Sequence, residues 1–69
     1  MTDDELNTRF SYHPPKSDQP ERYETIRAFG KQLAELVDTE CPESREKSLA
    51  LTKIEEAVMW ANAAIARRE

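Results

Sequence analysis

The sequence predicts an all-α fold: an antiparallel hairpin of two long helices, preceded by a short helix and an extended, proline-rich arm. In each of two segments the apolar residues recur at alternating intervals of three and four, which is the period of one helix face. A proline-led helix start precedes each segment, and no segment is predicted as a strand. With 69 residues the chain has room for one small domain, residues 1–69.

The short helix and the arm form the first part of the chain. Thr2 and Glu5 have the hydroxyl-to-carboxylate spacing of a capping box, so residues 1–9 are predicted as a short helix. Residues 10–18 contain two consecutive prolines, which lack amide donors and keep the residues before them out of the helical region. We therefore predict an extended arm that crosses a surface.

The first long helix is predicted over residues 19–40. Asp18 supplies a capping carboxylate and Pro20 falls in the first turn, both of which are typical of a helix start. Gly30 lies in the middle of the helix, where it costs about 1 kcal/mol relative to alanine. Its presence indicates close approach by either a neighbouring helix or a ligand. The apolar face comprises Tyr23, Ile26, Gly30, Leu33 and Val37.

The second long helix is predicted over residues 43–68, with Glu43 and Glu46 in its first turn. Its apolar residues spread beyond one stripe, and we interpret Met59 and Trp60 as core or subunit contacts. A lone hairpin cannot cover this surplus apolar surface, so we predict a homo-oligomer. The main stripe comprises Leu51, Ile54, Val58, Ala61 and Ile65.

Composition excludes several classes of function. Ten basic and fourteen acidic residues give a formal charge of −4, so no global basic field attracts duplex nucleic acid or an anionic membrane. The acidic start and the absence of a long apolar run predict a cytoplasmic protein without a membrane span. The single cysteine, Cys41, excludes a disulfide within the chain. The single histidine, His13, offers no Ser-His-Asp triad, and a single glycine cannot form a glycine-rich phosphate loop. We predict no enzyme activity, no metal and no cofactor.

The arm carries the most unusual residues of the chain. Tyr12, His13 and Pro14 would offer rigid stacking faces in an extended segment, and such faces suit purine bases. In the alternative interpretation, Phe10 and Tyr12 only pack the arm across the hairpin.

Basic residues on the helices could hold an anion. Arg27 and Lys31 lie one turn apart around Gly30 and could present donors to a phosphate. Arg45 lies near a helix N-terminus, where backbone amides are unpaired. In the alternative interpretation, both features are ordinary solvated charges.

Four motifs carry a resemblance to a known family, and the resemblance covers residues 10–67. They are Tyr12-His13-Pro14-Pro15-Lys16, Glu21-Arg22-Tyr23, Ile26-Arg27-Ala28-Phe29-Gly30, and Ser44-Arg45-Glu46-Lys47-Ser48-Leu49-Ala50-Leu51-Thr52 through Ala57-Val58-Met59-Trp60-Ala61-Asn62-Ala63-Ala64-Ile65. In these motifs the chain resembles small phage proteins with an anti-CBASS/anti-Thoeris hairpin domain.

The resemblance implies a function in the cytoplasm of an infected bacterial host. Members known for function are sponges that sequester cyclic oligonucleotide signals without cleaving them, and they assemble as hexamers. The resemblance implies that Tyr12 stacks on a base and Arg27 reaches phosphate. Some members bind cyclic trinucleotides through an Arg in the second long helix, where this chain has Thr52. The ligand-binding residues expected are Tyr12, His13, Pro14, Arg27, Gly30, Lys31, Arg45 and Thr52.

Two functions therefore remain open from the sequence. The first is a sponge for cyclic dinucleotides such as 3′,3′-cyclic GMP-AMP, with cyclic trinucleotides as further candidates. The second is an oligomeric helical module that binds another protein and has no nucleotide ligand.

Overall fold

Three helices account for most of the chain in the computed structural model, which describes residues 1–69. In chain order they are α1 (Asp3–Phe10), α2 (Gln19–Glu40) and α3 (Arg45–Arg68). No strand is present, so the prediction of an all-helical chain is confirmed. None of the three helices combines the length and the apolar character needed to cross a membrane.

α1 begins with the predicted capping hydroxyl. Thr2 has an extended backbone, and its Oγ1 accepts a hydrogen bond from the Glu5 amide at 3.1 Å. The helix runs to Phe10 rather than ending at Arg9, and the extended arm begins at Ser11. The expected arm of residues 10–18 is thus shortened by one residue, and the side chain of Phe10 is presented from a helix.

The start of α2 corrects one part of the sequence interpretation. Asp18 occupies the N-cap position, but its side chain forms no capping hydrogen bond. Its carboxylate instead lies 3.7 Å from Arg22 Nη1, one turn along the helix. The preceding Ser17 has a φ of 51°, the left-handed conformation that turns the arm into the helix. Pro20 stands in the first turn as predicted.

α3 begins two residues later than residue 43, because Ser44 is the capping residue. Its Oγ accepts from the Lys47 amide at 3.1 Å, and its backbone is extended. The prediction that Glu43 lies in the first turn is therefore wrong: Glu43 belongs to the connection. From there its carboxylate pairs with the Lys47 ammonium, which also lies 3.1 Å from Asp38 Oδ1. This lysine joins the end of α2 to the start of α3.

α2 and α3 pack antiparallel across the four-residue connection of residues 41–44. A methyl group on Gly30 would overlap with Val58 Cγ2, so close contact between the two helices accounts for the glycine. Ile65 is the only buried apolar residue. The whole chain measures 45 × 29 × 12 Å, and its radius of gyration of 15.1 Å exceeds the value of about 11 Å expected for a compact domain of this length.

The thin hairpin leaves large apolar side chains uncovered. Phe29, Leu33 and Leu36 are exposed on α2, and Met59 and Trp60 are exposed on α3. The interpretation of Met59 and Trp60 as core residues is therefore wrong within one chain, because a single layer of two helices has no second layer to cover them. A subunit contact at these residues stays a prediction.

Candidate functional site

The arm is held at both of its ends. His13 donates from Nε2 to the Thr8 carbonyl oxygen at 2.7 Å, which ties the arm back to α1. The Lys16 amide donates to Gln19 Oε1 at 3.2 Å, and its ammonium donates to the Glu69 carbonyl oxygen at 3.0 Å. Tyr12 takes part in none of these hydrogen bonds, and it is 83% exposed. The arm thus presents its aromatic ring without packing it against the hairpin.

Gln19 is the buried residue that fixes the base of the arm. It is 2% exposed, and its Nε2 donates to the Ile65 carbonyl oxygen at 3.3 Å and to Glu69 Oε1 at 3.1 Å. Arg22 donates to both carboxylate oxygens of Glu69, at 2.9 and 2.8 Å. The Arg22 guanidinium, together with the Gln19 hydrogen bond, lowers the pKa of the Glu69 carboxyl. The start of α2 and the last turn of α3 are therefore joined behind the arm.

A cavity of about 630 Å³ lies between the arm, α2 and α3, and we call it the arm cavity. It brings together three of the residues expected from the sequence, Tyr12, His13 and Arg27. The complete lining is Arg9, Ser11, Tyr12, His13, Tyr23, Arg27, Met59, Trp60, Asn62, Ala63, Ala66 and Arg67.

The arm cavity is locally cationic although the chain is acidic. Three arginines line it and no carboxylate does. Arg9 pairs with Glu5, at 3.1 Å, but Arg27 and Arg67 take part in none of the ion pairs of the chain. Two guanidinium groups are thus available to donate hydrogen bonds to an anion, for which their planar geometry is well suited.

Aromatic side chains supply the other part of the arm cavity. Trp60, 63% exposed, lines it together with Tyr12 and Tyr23. Sequence reasoning missed Trp60 as a site residue because its neighbours are apolar at helical spacing. The signal that could have identified it is the surplus of apolar residues on α3, since that surplus cannot all be buried by one partner helix.

A second cavity, of about 570 Å³, lies along the hairpin on the other side of Arg27, and we call it the hairpin cavity. It contains four of the expected residues: Arg27, Gly30, Lys31 and Thr52. Arg27 and Met59 line both cavities, so the two spaces adjoin. Lys31, like Arg27, forms no ion pair.

Two expected residues lie outside both cavities. Pro14 belongs to the exposed part of the arm and lines neither space. Arg45 is the first residue of α3 and stands at the opposite end of the hairpin from the arm, about 22 Å along the helix from Trp60 at 1.5 Å per residue. Within one chain the structure does not bring Arg45 to Tyr12.

The side chains of the arm cavity suit binding of a flat, negatively charged molecule. Aromatic rings can stack on a heterocyclic base, and the unpaired arginines can neutralise phosphate. No group of three or more His, Cys, Asp or Glu side chains in the chain could hold a metal ion.

Comparison with known proteins supplies the family. The model of the family described as "Acb2/Tad1, hairpin domain" matches residues 2–66. No curated protein and no solved structure gave a significant match to the chain. The family is one of binding sponges and is not known for enzymes, and membership implies a phage sponge for cyclic nucleotides. A match over nearly the whole chain, on three helices that form a hairpin, shows that the protein belongs to the Acb2/Tad1 hairpin-domain family of anti-CBASS/anti-Thoeris sponges.

Proposed function

We propose that this protein binds and sequesters cyclic oligonucleotide second messengers without cleaving them, and so blocks effector activation in CBASS-type defence. The cyclic dinucleotide 3′,3′-cyclic GMP-AMP is the first ligand to test. The observation that carries the proposal is the arm cavity, which joins exposed aromatic rings to two arginines that have no acidic partner. The site of action is the cytoplasm of the infected bacterial host.

One base and one phosphate of a cyclic dinucleotide have counterparts in the arm cavity. Tyr12 stacks on a base, and the fixed arm limits the entropy lost when the ring is immobilised. Arg27 donates to a phosphate and needs no acid of its own to be displaced first. His13 keeps the arm folded back on α1 through its bond to Thr8. Sequestration by these residues requires binding of the ligand and no chemical step.

The uncovered apolar side chains support a homo-oligomer, for which we propose the hexamer implied by the family. Neighbouring copies would cover Phe29, Leu33 and Leu36, and would bring residues such as Arg45 to the cavities of another chain. The hairpin cavity, with Lys31 and Thr52, is the place where we expect any second ligand, such as a cyclic trinucleotide.

Calorimetry with a panel of cyclic di- and trinucleotides tests the proposal, and the fluorescence of Trp60 gives a second signal because it is the only tryptophan. Tyr12→Ala should weaken binding by about 5- to 150-fold, the worth of one stacked base, whereas Tyr12→Phe keeps the ring and should bind almost normally. Arg27→Gln should weaken binding by about 10- to 150-fold, as expected for a lost charged hydrogen bond.

Ligand released by heating the complex should be recovered intact. Degraded ligand, or no binding to any member of the panel, contradicts the sponge. The exposed apolar face of α2 favours one other function, an oligomeric module that binds a protein partner. That module is supported instead if Tyr12→Ala and Arg27→Gln leave phage protection against cyclic-nucleotide defence unchanged.

A further inference from the structure

Asn62 is the one residue of the chain with a buried side-chain polar atom that lacks a hydrogen-bond partner. Its Oδ1 is sealed from solvent and accepts no bond, although the residue lines the arm cavity. The buried Gln19, by contrast, uses both ends of its amide, with bonds to Ile65, Glu69 and Lys16. An unsatisfied buried amide oxygen destabilises the folded chain, so Asn62 calls for an explanation other than folding.

The helix itself has no need of an amide at this position. Ala61, Ala63 and Ala64 surround Asn62 in the sequence, and alanine is the better helix former. An alanine here would also remove the unsatisfied oxygen. A side chain that lowers the stability of the fold is therefore found where α3 lines the arm cavity. Residues that lower stability are expected at functional sites.

The orientation of the amide indicates what it recognises. Asn62 lines the arm cavity, and of its two amide atoms only Oδ1 is both buried and unpaired, so the NH₂ group is the end that we assign to a ligand, and it can only donate. A purine base presents N7 as an acceptor on its edge, and a pyrimidine has no such atom. The arginines of the cavity are suited to phosphate, and a neutral amide is suited to the edge of a base.

We infer that Asn62 is the specificity-determining residue of the arm cavity, and that its amide donates a hydrogen bond to N7 of a purine stacked beside Tyr12. The inference rests on the proposed function, since it concerns the base of the bound cyclic dinucleotide. It adds a preference for purine over pyrimidine to a site whose stacking surfaces accept any base.

The test changes one atom of the ligand and one side chain of the protein. The ligands are 3′,3′-cyclic di-AMP and its analogue built from 7-deazaadenine, in which a C–H group replaces N7 and the stacking face is kept. Wild type should bind the analogue about 2- to 12-fold more weakly, the range for one neutral hydrogen bond. Asn62→Ala should bind cyclic di-AMP more weakly by the same factor and should no longer distinguish the two ligands.

Two controls separate recognition from structure. Asn62→Ala should unfold at the same urea concentration as wild type or a higher one, because it removes an unsatisfied group. Asn7→Ala makes the same change at an exposed position of α1 outside the cavity and should keep both the affinity and the discrimination.

The outcomes are distinguishable. If wild type binds neither ligand, nor any other cyclic nucleotide, the proposed function fails and the inference fails with it. If wild type binds both ligands equally, or Asn62→Ala still discriminates between them, only the role of Asn62 is overturned. A change in native mass on Asn62→Ala would assign the amide to a contact between copies and would likewise overturn it.

Discussion

Glu5 is the residue that attaches α1 to the last turn of α3. Its carboxylate accepts from both terminal nitrogens of Arg68, at 3.0 and 2.7 Å, and from Arg9 Nε at 3.1 Å. These hydrogen bonds, the one from Arg68 first, lower the pKa of Glu5 from its ordinary value of 4.5 to about 2. Arg9 lines the arm cavity, so the same carboxylate also holds one of the cationic groups of the candidate site.

The pH dependence of stability should report this ion pair. A carboxyl with a lowered pKa in the folded state stabilises that state above its unfolded pKa of 4.5, and the contribution is lost as the pH falls toward 2. We expect wild type to resist urea better than Glu5→Gln at pH 7, with the difference shrinking between pH 4.5 and pH 2. Glu24→Gln, which removes a carboxylate that forms no ion pair, measures the effect of lost charge alone. If wild type and Glu5→Gln differed in urea resistance by the same amount at pH 7 and at pH 2, the ion pair of Glu5 would not be the source of the difference.

Between the elements, the approach of α2 to α3 depends on Gly30. Gly30→Ala should gain about 1 kcal/mol of helix propensity but place its methyl group against Val58, whose β-branched side chain turns with difficulty. Overpacking of this kind costs about 1–3 kcal/mol, so we expect a net loss of up to about 2 kcal/mol in urea unfolding. Val58→Ala removes the obstructing atom, and in that background Gly30→Ala should be neutral or stabilising. An equal effect of Gly30→Ala in both backgrounds would show that the two residues are not coupled.

The sequence was a good guide to the helices and a partial guide to the site. Periodicity and prolines predict α2 with the bounds that the structure has, because both signals are local. α3 begins two residues later than predicted. Pro42 indicates a start at residue 43, but the Ser44 hydroxyl caps the helix and fixes its start at Arg45. Trp60 and Asn62 were not predicted as site residues because the apolar pattern indicates surplus surface on α3 but not that the arm and α3 line one cavity.

At the scale of the whole molecule, the chain is a single layer 12 Å thick with one buried apolar residue. A stable domain buries apolar surface between at least two layers, and this chain supplies only one. The side chains left over lie on both long helices, and on α2 Phe29 is 66% exposed, Leu36 58% and Leu33 49%. A second copy of the hairpin is the most direct source of the missing layer, and isologous or cyclic packing would repeat each cavity once per copy.

Native mass measurement tests whether copies of the chain cover this face. We expect the native mass of wild type to be at least twice the 8.0 kDa of one chain. Leu36→Glu places a charge among the exposed apolar side chains, where burial without a partner is unfavourable, and should shift the mass toward the monomer. Ala28→Glu adds the same charge to an exposed position elsewhere on α2 and should leave the mass unchanged. A wild-type chain that stays folded as a monomer would mean that the single layer is sufficient, and the arm cavity would then have to bind its ligand with the residues of one chain alone.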